Sequence, residues 1–251
     1  MWAGLARLVG VFVTIVASTT TAQANIVIEA TRVIYEQGTQ GQIVQLTNRG
    51  DQPALVQSWV DSGNTESTPE DSQAPFVVLP PITRVEADRG QALRIRFTGT
   101  PQALPSDEES VFWLNVLDVP PSLGAERADR NKNYLQFAIR SRIKLFYRPQ
   151  GLPGDPRKAP GALEWSLTSE PSGAPALRVH NPTAYHVTLT AVQLGASGAS
   201  LVPRSRMLAP GASHRWVLGT PPAGGARVRY ESINDFGAAT RHDATLSVIG
   251  D

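Results

Sequence analysis

Apolar residues in this chain recur at every second position, in runs of roughly four to eight residues broken by Gly, Pro, Asn and Asp. A period of two puts one face of each segment against a core and leaves the other to solvent, which is the pattern of short β-strands and not of helices. About fourteen runs of this kind follow one another. The first series comprises Ile26 to Tyr35 as two runs, Ile43 to Leu46, Leu55 to Val60, Phe76 to Leu79, Ala92 to Phe97, Val111 to Val116 and Leu135 to Tyr147. The second comprises Leu163 to Leu167, Ala176 to Val179, Val187 to Leu194, His214 to Leu218, Val228 to Glu231 and Thr245 to Ile249. Between the two series, Arg148-Pro-Gln-Gly-Leu-Pro-Gly-Asp-Pro156 can neither extend a ladder nor hold an alternating pattern, so it reads as a connection between domains. The expectation is an all-β protein of two immunoglobulin-like sandwiches, residues 25–149 and 157–251, joined by a linker at 150–156.

The first 24 residues do not share the pattern. They carry one charge, Arg7, then an apolar stretch from Leu8 to Val16, a Ser/Thr run and Ala22-Gln23-Ala24. A span this short falls below the ~20 residues a bilayer-crossing helix needs, and the small residues at 22 and 24 suit a signal peptidase. The reading is an export signal over residues 1–24, with the mature chain starting at Asn25 outside the cytoplasm. Exported proteins of this kind often rely on disulfides, but the chain has no cysteine, so both domains must be held by their apolar cores. Of 23 basic residues Arg7 leaves with the leader, and the 22 that remain balance 22 acidic ones. Such a balance gives no field that would draw nucleic acid or anionic lipid, and no later run is long and apolar enough to insert in a membrane as a helix.

The longest run, Leu135 to Tyr147, sets Leu135, Phe137, Ile139, Ser141 and Ile143 on one face and Gln136, Ala138, Arg140, Arg142 and Lys144 on the other. Thirteen residues exceed an ordinary strand, so part of the run is expected to project beyond its sheet. Lys144 is one of three lysines beside twenty arginines, and it interrupts an apolar run where a charge is costly unless it meets a cleft or a partner. Its parity is opposite to that of Leu135 and Phe137, so a strictly regular strand would turn it to the other face.

Three segments carry a specific resemblance: Ala30-Thr-Arg-Val-Ile-Tyr35, Asn115-Val-Leu-Asp-Val-Pro-Pro121 and Ile143-Lys-Leu-Phe-Tyr-Arg-Pro149. Together with Leu79-Pro80-Pro81, Glu108-Glu109-Ser110 and Ile233-Asn-Asp-Phe-Gly237, in this order and behind a leader, they resemble the periplasmic pilus chaperones of the chaperone/usher pathway, the PapD-like family. The resemblance implies two immunoglobulin-like domains at an angle and a cleft that receives the C-terminus of a pilus subunit lacking its last strand. It implies that Arg32 and Lys144 anchor the subunit's terminal carboxylate. It also implies that Leu135, Phe137 and Ile139 enter the subunit's open groove as a donor strand, and that Glu109, Arg148 and Asp235 form an ion network between the domains. Partners would be pilus subunits and an outer-membrane usher, in the periplasm. The charged loop Ser122 to Asn133 fits members with a short, disulfide-free loop there, and the cysteine pair some members carry in the second domain is absent. Which subunits are bound, and whether the free protein covers its donor strand by self-association, is left open.

Two other classes compete. Catalysis has little support: His180, His186, His214 and His242 lack the spacing of a metal site, no Gly-x-Ser-x-Gly elbow occurs, and the histidines read as surface or turn residues. No metal, cofactor or nucleotide is expected. A secreted binding or structural module, including a fibre component, would share the sandwiches but not the paired cleft cations.

Overall fold

The computed structural model describes residues 25–119, 137–195, 200–222 and 225–248. The leader, Leu135 and the loop from Ser122 to Asn133 lie outside the described residues.

The first sandwich is built from β1 (Ile26–Ile28), β2 (Arg32–Glu36), β3 (Gln42–Asn48), β4 (Ala54–Asp61), β5 (Phe76–Leu79), β6 (Ile82–Val85), β7 (Gly90–Phe97), β8 (Ser110–Val119) and β9 (Ile139–Arg148). One sheet has the order β1-β3-β7-β5 and the other β2-β9-β8-β4-β6. Every pairing in them is antiparallel except that of β2 with β9. The alternation does what it predicts: Val33, Tyr35, Val44, Leu46, Leu93, Ile95, Leu114, Leu145 and Tyr147 face one another and are almost wholly buried. Each such side chain contributes about 1.5–3 kcal/mol against exposure. At one end Tyr35, Phe76, Phe97, Phe112 and Tyr147 pack as an aromatic group, with ring centroids 4.7–6.3 Å apart.

The second sandwich is built from β10 (Glu164–Ser169), β11 (Pro175–His180), β12 (Val187–Leu194), β13 (Arg206–Leu208), β14 (Ser213–Val217), β15 (Arg227–Ile233), β16 (Ala239–Thr245) and β17 (Ser247–Val248). Its sheets run β14-β11-β10-β17 and β13-β12-β15-β16 around Trp165, Leu177, Val179, Leu189, Val192, Val228 and Tyr230. Buried Tyr230 keeps its hydroxyl satisfied by donating to the Pro160 carbonyl at 2.7 Å.

Three strands escape the sequence pattern. Ile82–Val85 and Ala239–Thr245 are sheet edges and Arg206–Leu208 is a three-residue edge, so fewer neighbours select their side chains. Ala-Thr-Arg-His-Asp-Ala-Thr in β16 has no apolar alternation, yet it pairs with β15 from Arg227↔Thr245 to Ile233↔Ala239. The run expected at Thr245 to Ile249 divides, Thr245 closing β16 and Ser247–Val248 pairing parallel to β10. The long run is also corrected. Its strand spans Ile139–Arg148, ten residues, while Phe137 and Ala138 precede it as irregular chain.

Candidate functional site: an unpaired strand edge beside an interdomain cleft

β9 has two different neighbours along one edge. From Lys144 to Arg148 it pairs with β2, in the register Arg32↔Lys144 to Glu36↔Arg148. β2 starts at Arg32, so above Lys144, from Ile139 to Ile143, no strand lies on that side among the described residues. The opposite edge is paired without a break to β8, from Ser110↔Tyr147 to Asp118↔Ile139. An uninterrupted ladder contains no bulge, and this settles the parity of Lys144. Ile143, Leu145 and Tyr147 pack on the first core, whereas Lys144, Phe146 and Arg148 take the other face and look toward the second sandwich. The regular strand therefore sends the lysine out of the core and into the cleft, with no distortion required.

Arg32 and Lys144 meet there because their strands are parallel neighbours at that pair. Lys144 Nζ donates to Thr188 Oγ1 at 3.2 Å, and Arg32 Nη1 donates to the Ile233 carbonyl at 3.2 Å, both across the domain boundary. The Arg32 guanidinium lies 5.9 Å from the centre of the Phe146 ring, and its Nε is buried without a hydrogen-bond partner among the described residues. Burial, and then the charge of Arg32, push the Lys144 ammonium down to about 8.

Four residues further along β9, Arg148 joins the domains. Its Nε donates to Glu109 Oε1 at 2.8 Å, and its Nη1 donates to Asp235 Oδ2 at 2.9 Å. The Glu109 side chain is 2% exposed. Burial alone would raise its carboxyl; hydrogen bonds from His186 and the charge of Arg148 outweigh that and hold it below the usual carboxylate range. The His186 backbone N–H donates to Glu109 Oε2 at 2.8 Å, and its imidazole Nδ1 lies 3.5 Å from the same oxygen. Glu109 N–H donates to the Ala184 carbonyl at 2.9 Å, and Arg148 sits over Tyr185 at 5.3 Å. Counted together, Arg32, Lys144 and Arg148 face Glu109 and Asp235, three cations against two carboxylates. The surplus is one positive charge, the amount a single carboxylate would neutralise.

The upper part of β9 is stiffened on the cleft face. Arg142 Nε donates to Asp61 Oδ2 at 3.0 Å, Asn115 Nδ2 donates to the same oxygen at 2.7 Å, and Arg140 Nε donates to Asn115 Oδ1 at 2.9 Å. Arg140 stacks over Trp59 and Arg142 over Trp113, each at 4.7 Å. The Asp61 carboxyl would be raised by burial, but the bonds from Arg142 and Asn115 keep it below its ordinary range. With both arginines engaged, the unpaired edge is presented by a rigid strand.

Of the residues singled out from sequence, the structure brings Arg32 to Lys144 and Glu109 to Arg148 and Asp235. Ile139 opens β9 half-buried, Phe137 is 65% exposed just before it, and Leu135 lies outside the described residues. The reading of the histidines as surface or turn residues needs correction at His186, whose side chain is 4% exposed and packs between Glu109 and the Phe146 ring, 5.5 Å away. Sequence reasoning also passed over Thr188, Asp61, Asn115 and the two tryptophans, which lie on the strand faces opposite the cores, where alternation gives no signal. No group of three His, Asp or Glu residues that could hold a metal occurs among the described residues, and no described helix is long and apolar enough to cross a membrane.

Gly237 closes the β15–β16 turn at φ +85°, and a Cβ there would overlap the Thr31 hydroxyl of the first domain. Gly237→Ala should lower stability by ~1–3 kcal/mol, from the left-handed backbone and the lost close approach. A denaturant midpoint equal to that of the parent protein would show that the two domains do not depend on this contact.

Two family models match, a pili and flagellar-assembly chaperone PapD N-terminal domain over residues 25–153 and a pili assembly chaperone PapD C-terminal domain over residues 158–244. The chaperone protein FimB/FhaD of Bordetella pertussis is 45% identical over 229 residues, 90% of each chain. Among solved structures, the YadV chaperone matches with a TM-score of 0.70 at 41% identity, covering 89% of this chain and all of that one. The Salmonella enterica SafB chaperone in complex with the SafA pilin gives 0.71 at 30% identity, covering 90% and 97%.

Proposed function

Since the chain belongs to the PapD family of pilus-assembly chaperones, we propose that it is exported to the periplasm, captures pilus subunits by donating a strand to them, and delivers them to an outer-membrane usher. The mature chain would start at Asn25 and fold as domains 25–149 and 157–251 about the 150–156 linker. No catalytic step or cofactor belongs to this role.

The observation that carries the reading is the length of β2. Because it begins only opposite Lys144, the β9 edge from Ile139 to Ile143 offers main-chain groups unpaired among the described residues, directly above two cations with one positive charge in excess. An incoming chain that sets its terminal carboxylate on Arg32 and Lys144 and lies along this edge must run parallel to β9, in line with β2. A sandwich missing its last strand exposes a groove and a row of unpaired amides. The donor would cover both, through ladder hydrogen bonds and through Leu135, Phe137 and Ile139, each side chain worth about 1.5–3 kcal/mol. The carboxylate anchor fixes register, since a slip by one residue would turn every donor side chain out of the groove.

Coexpression in the periplasm with a pilus subunit tests the role. Soluble one-to-one complex is expected with this chain, and aggregated or proteolysed subunit without it. If subunit yield is the same in both cultures, the chain is not its chaperone. Phe137→Glu should reduce recovery of complex by at least about tenfold, because a charge is placed in an apolar groove, while the variant itself stays folded with its exposed residue changed.

A further inference from the structure

Asp118 is a carboxylate in an unusual place. It lies on the inward face of β8, paired with Ile139 of β9 and Val56 of β4, and is 5% exposed. Its Oδ1 is buried and has no hydrogen-bond partner among the described residues. Its one hydrogen-bond donor there is a main-chain nitrogen at the start of the first sandwich, Ile26 N–H, 3.4 Å from Oδ2, and the neighbouring main-chain nitrogen of Asn25 lies close enough to lower the carboxyl. A buried carboxylate needs a counter-charge or a full set of donors, and two neutral amides are neither.

Residue 25 is held in place from several sides. Its carbonyl accepts from Arg49 N–H at 2.6 Å, Ile26 pairs with Asn48 in the β1–β3 ladder, and its side chain lies so close to Gly50 that a Cβ there would come within 2.6 Å of Asn25 Oδ1. The backbone nitrogen that faces Asp118 is thus positioned by the fold. It is also the atom that leader removal after Ala24 would convert from an amide into an α-ammonium.

We propose that Asp118 is the receptor for the new N-terminus: cleavage between Ala24 and Asn25 places the α-ammonium of Asn25 on the buried Asp118 carboxylate and completes the first sandwich with an ion pair. This rests on the export reading above. Hydrolysis of the 24–25 peptide bond leaves a carboxylate on Ala24 and an amine on Asn25 that takes up a proton at neutral pH. Before cleavage the buried carboxylate has no cation among the described residues, so the leader-bearing first sandwich is the less stable form, and full folding is coupled to export and processing. Burial raises the Asp118 carboxyl when only neutral amides face it, which is the condition an adjacent ammonium would reverse.

Intact-mass measurement of the exported protein reports on the leader alone: a chain beginning elsewhere than Asn25 overturns the cleavage site. Asp118 is tested separately, with protein released by a protease so that it starts at Asn25, the same protein with one glycine ahead of Asn25, and Asp118→Asn versions of both. The extra residue moves the ammonium by up to ~3.6 Å. It should lower the folding equilibrium constant of the parent by at least about tenfold, since a buried carboxylate loses its partner, and should leave that of Asp118→Asn within about twofold. An extension that shifts neither background, or both equally, contradicts the ion pair. If Asp118→Asn does not fold, the parent with and without the added glycine still decides it.

Discussion

Lys144→Met should remove subunit capture and at the same time make the chaperone itself more stable. The ammonium is held near pH 8 by burial and by Arg32, so the folded protein carries it at a cost. The sign follows from linkage. A lysine whose folded value lies below its unfolded value of ~10.4 penalises the fold fully below about pH 8, and the penalty fades as pH rises toward the unfolded value. Because the side chain is only partly buried, the full shift overstates the penalty, and a gain of ~1–2 kcal/mol at pH 7 is expected after solvent screening. Capture should move the other way with pH in the parent protein. It should hold steady up to about pH 8 and weaken above it as the ammonium is lost, by up to tenfold per unit. Denaturant curves and subunit binding between pH 6 and 10 check both. A Lys144→Met protein that is destabilised, or that still recovers subunit at parental yield, would remove Lys144 from the role of anchor.

Arg148→Ala carries the largest expected loss of stability. Its removal leaves Glu109 buried with His186 alone, and Asp235 without its guanidinium. Leaving a buried charge uncompensated costs ~3–5 kcal/mol, whereas a pair replaced as a unit costs much less. Arg148→Met combined with Glu109→Gln should therefore recover much of what Arg148→Ala loses. The lowered Glu109 carboxyl gives the network a pH window: its contribution is present above the ordinary carboxylate range and is lost as pH falls through the depressed folded value. Urea unfolding at pH 7 is the check, and a loss below about 0.5 kcal/mol, typical of an exposed site, would mean that the network is not what joins the domains.

The readable parts of this chain are those in which burial selects side chains. Alternation located β3, β4, β7, β8 and most strands of the second sandwich because each has one face in a core. It failed for β16, an edge strand whose sequence is polar throughout, and it ran past Ile139 to Phe137 because an exposed apolar residue looks like a buried one in a pattern. The two charged groups Arg32–Lys144 and Glu109–Arg148–Asp235 came from resemblance, not from spacing, since residues 39 or more positions apart meet only through the β2–β9 and β8–β9 pairs and the domain boundary. His186 and Asp118 were illegible for the same reason: what makes each significant is a neighbour that the local sequence does not announce.

The central claim is that the β9 edge and its two cations receive a strand by its terminal carboxylate. A synthetic peptide with the C-terminal strand sequence of a pilus subunit, prepared as the free acid and as the C-terminal amide, tests it most directly, since the two differ at that one group. Hydrogen bonds to a charged group are worth about 1.5–3 kcal/mol each, so the amide should bind at least about tenfold more weakly, and the difference should shrink in Lys144→Met, where Arg32 alone remains. Equal affinity of acid and amide for the parent protein would contradict the claim.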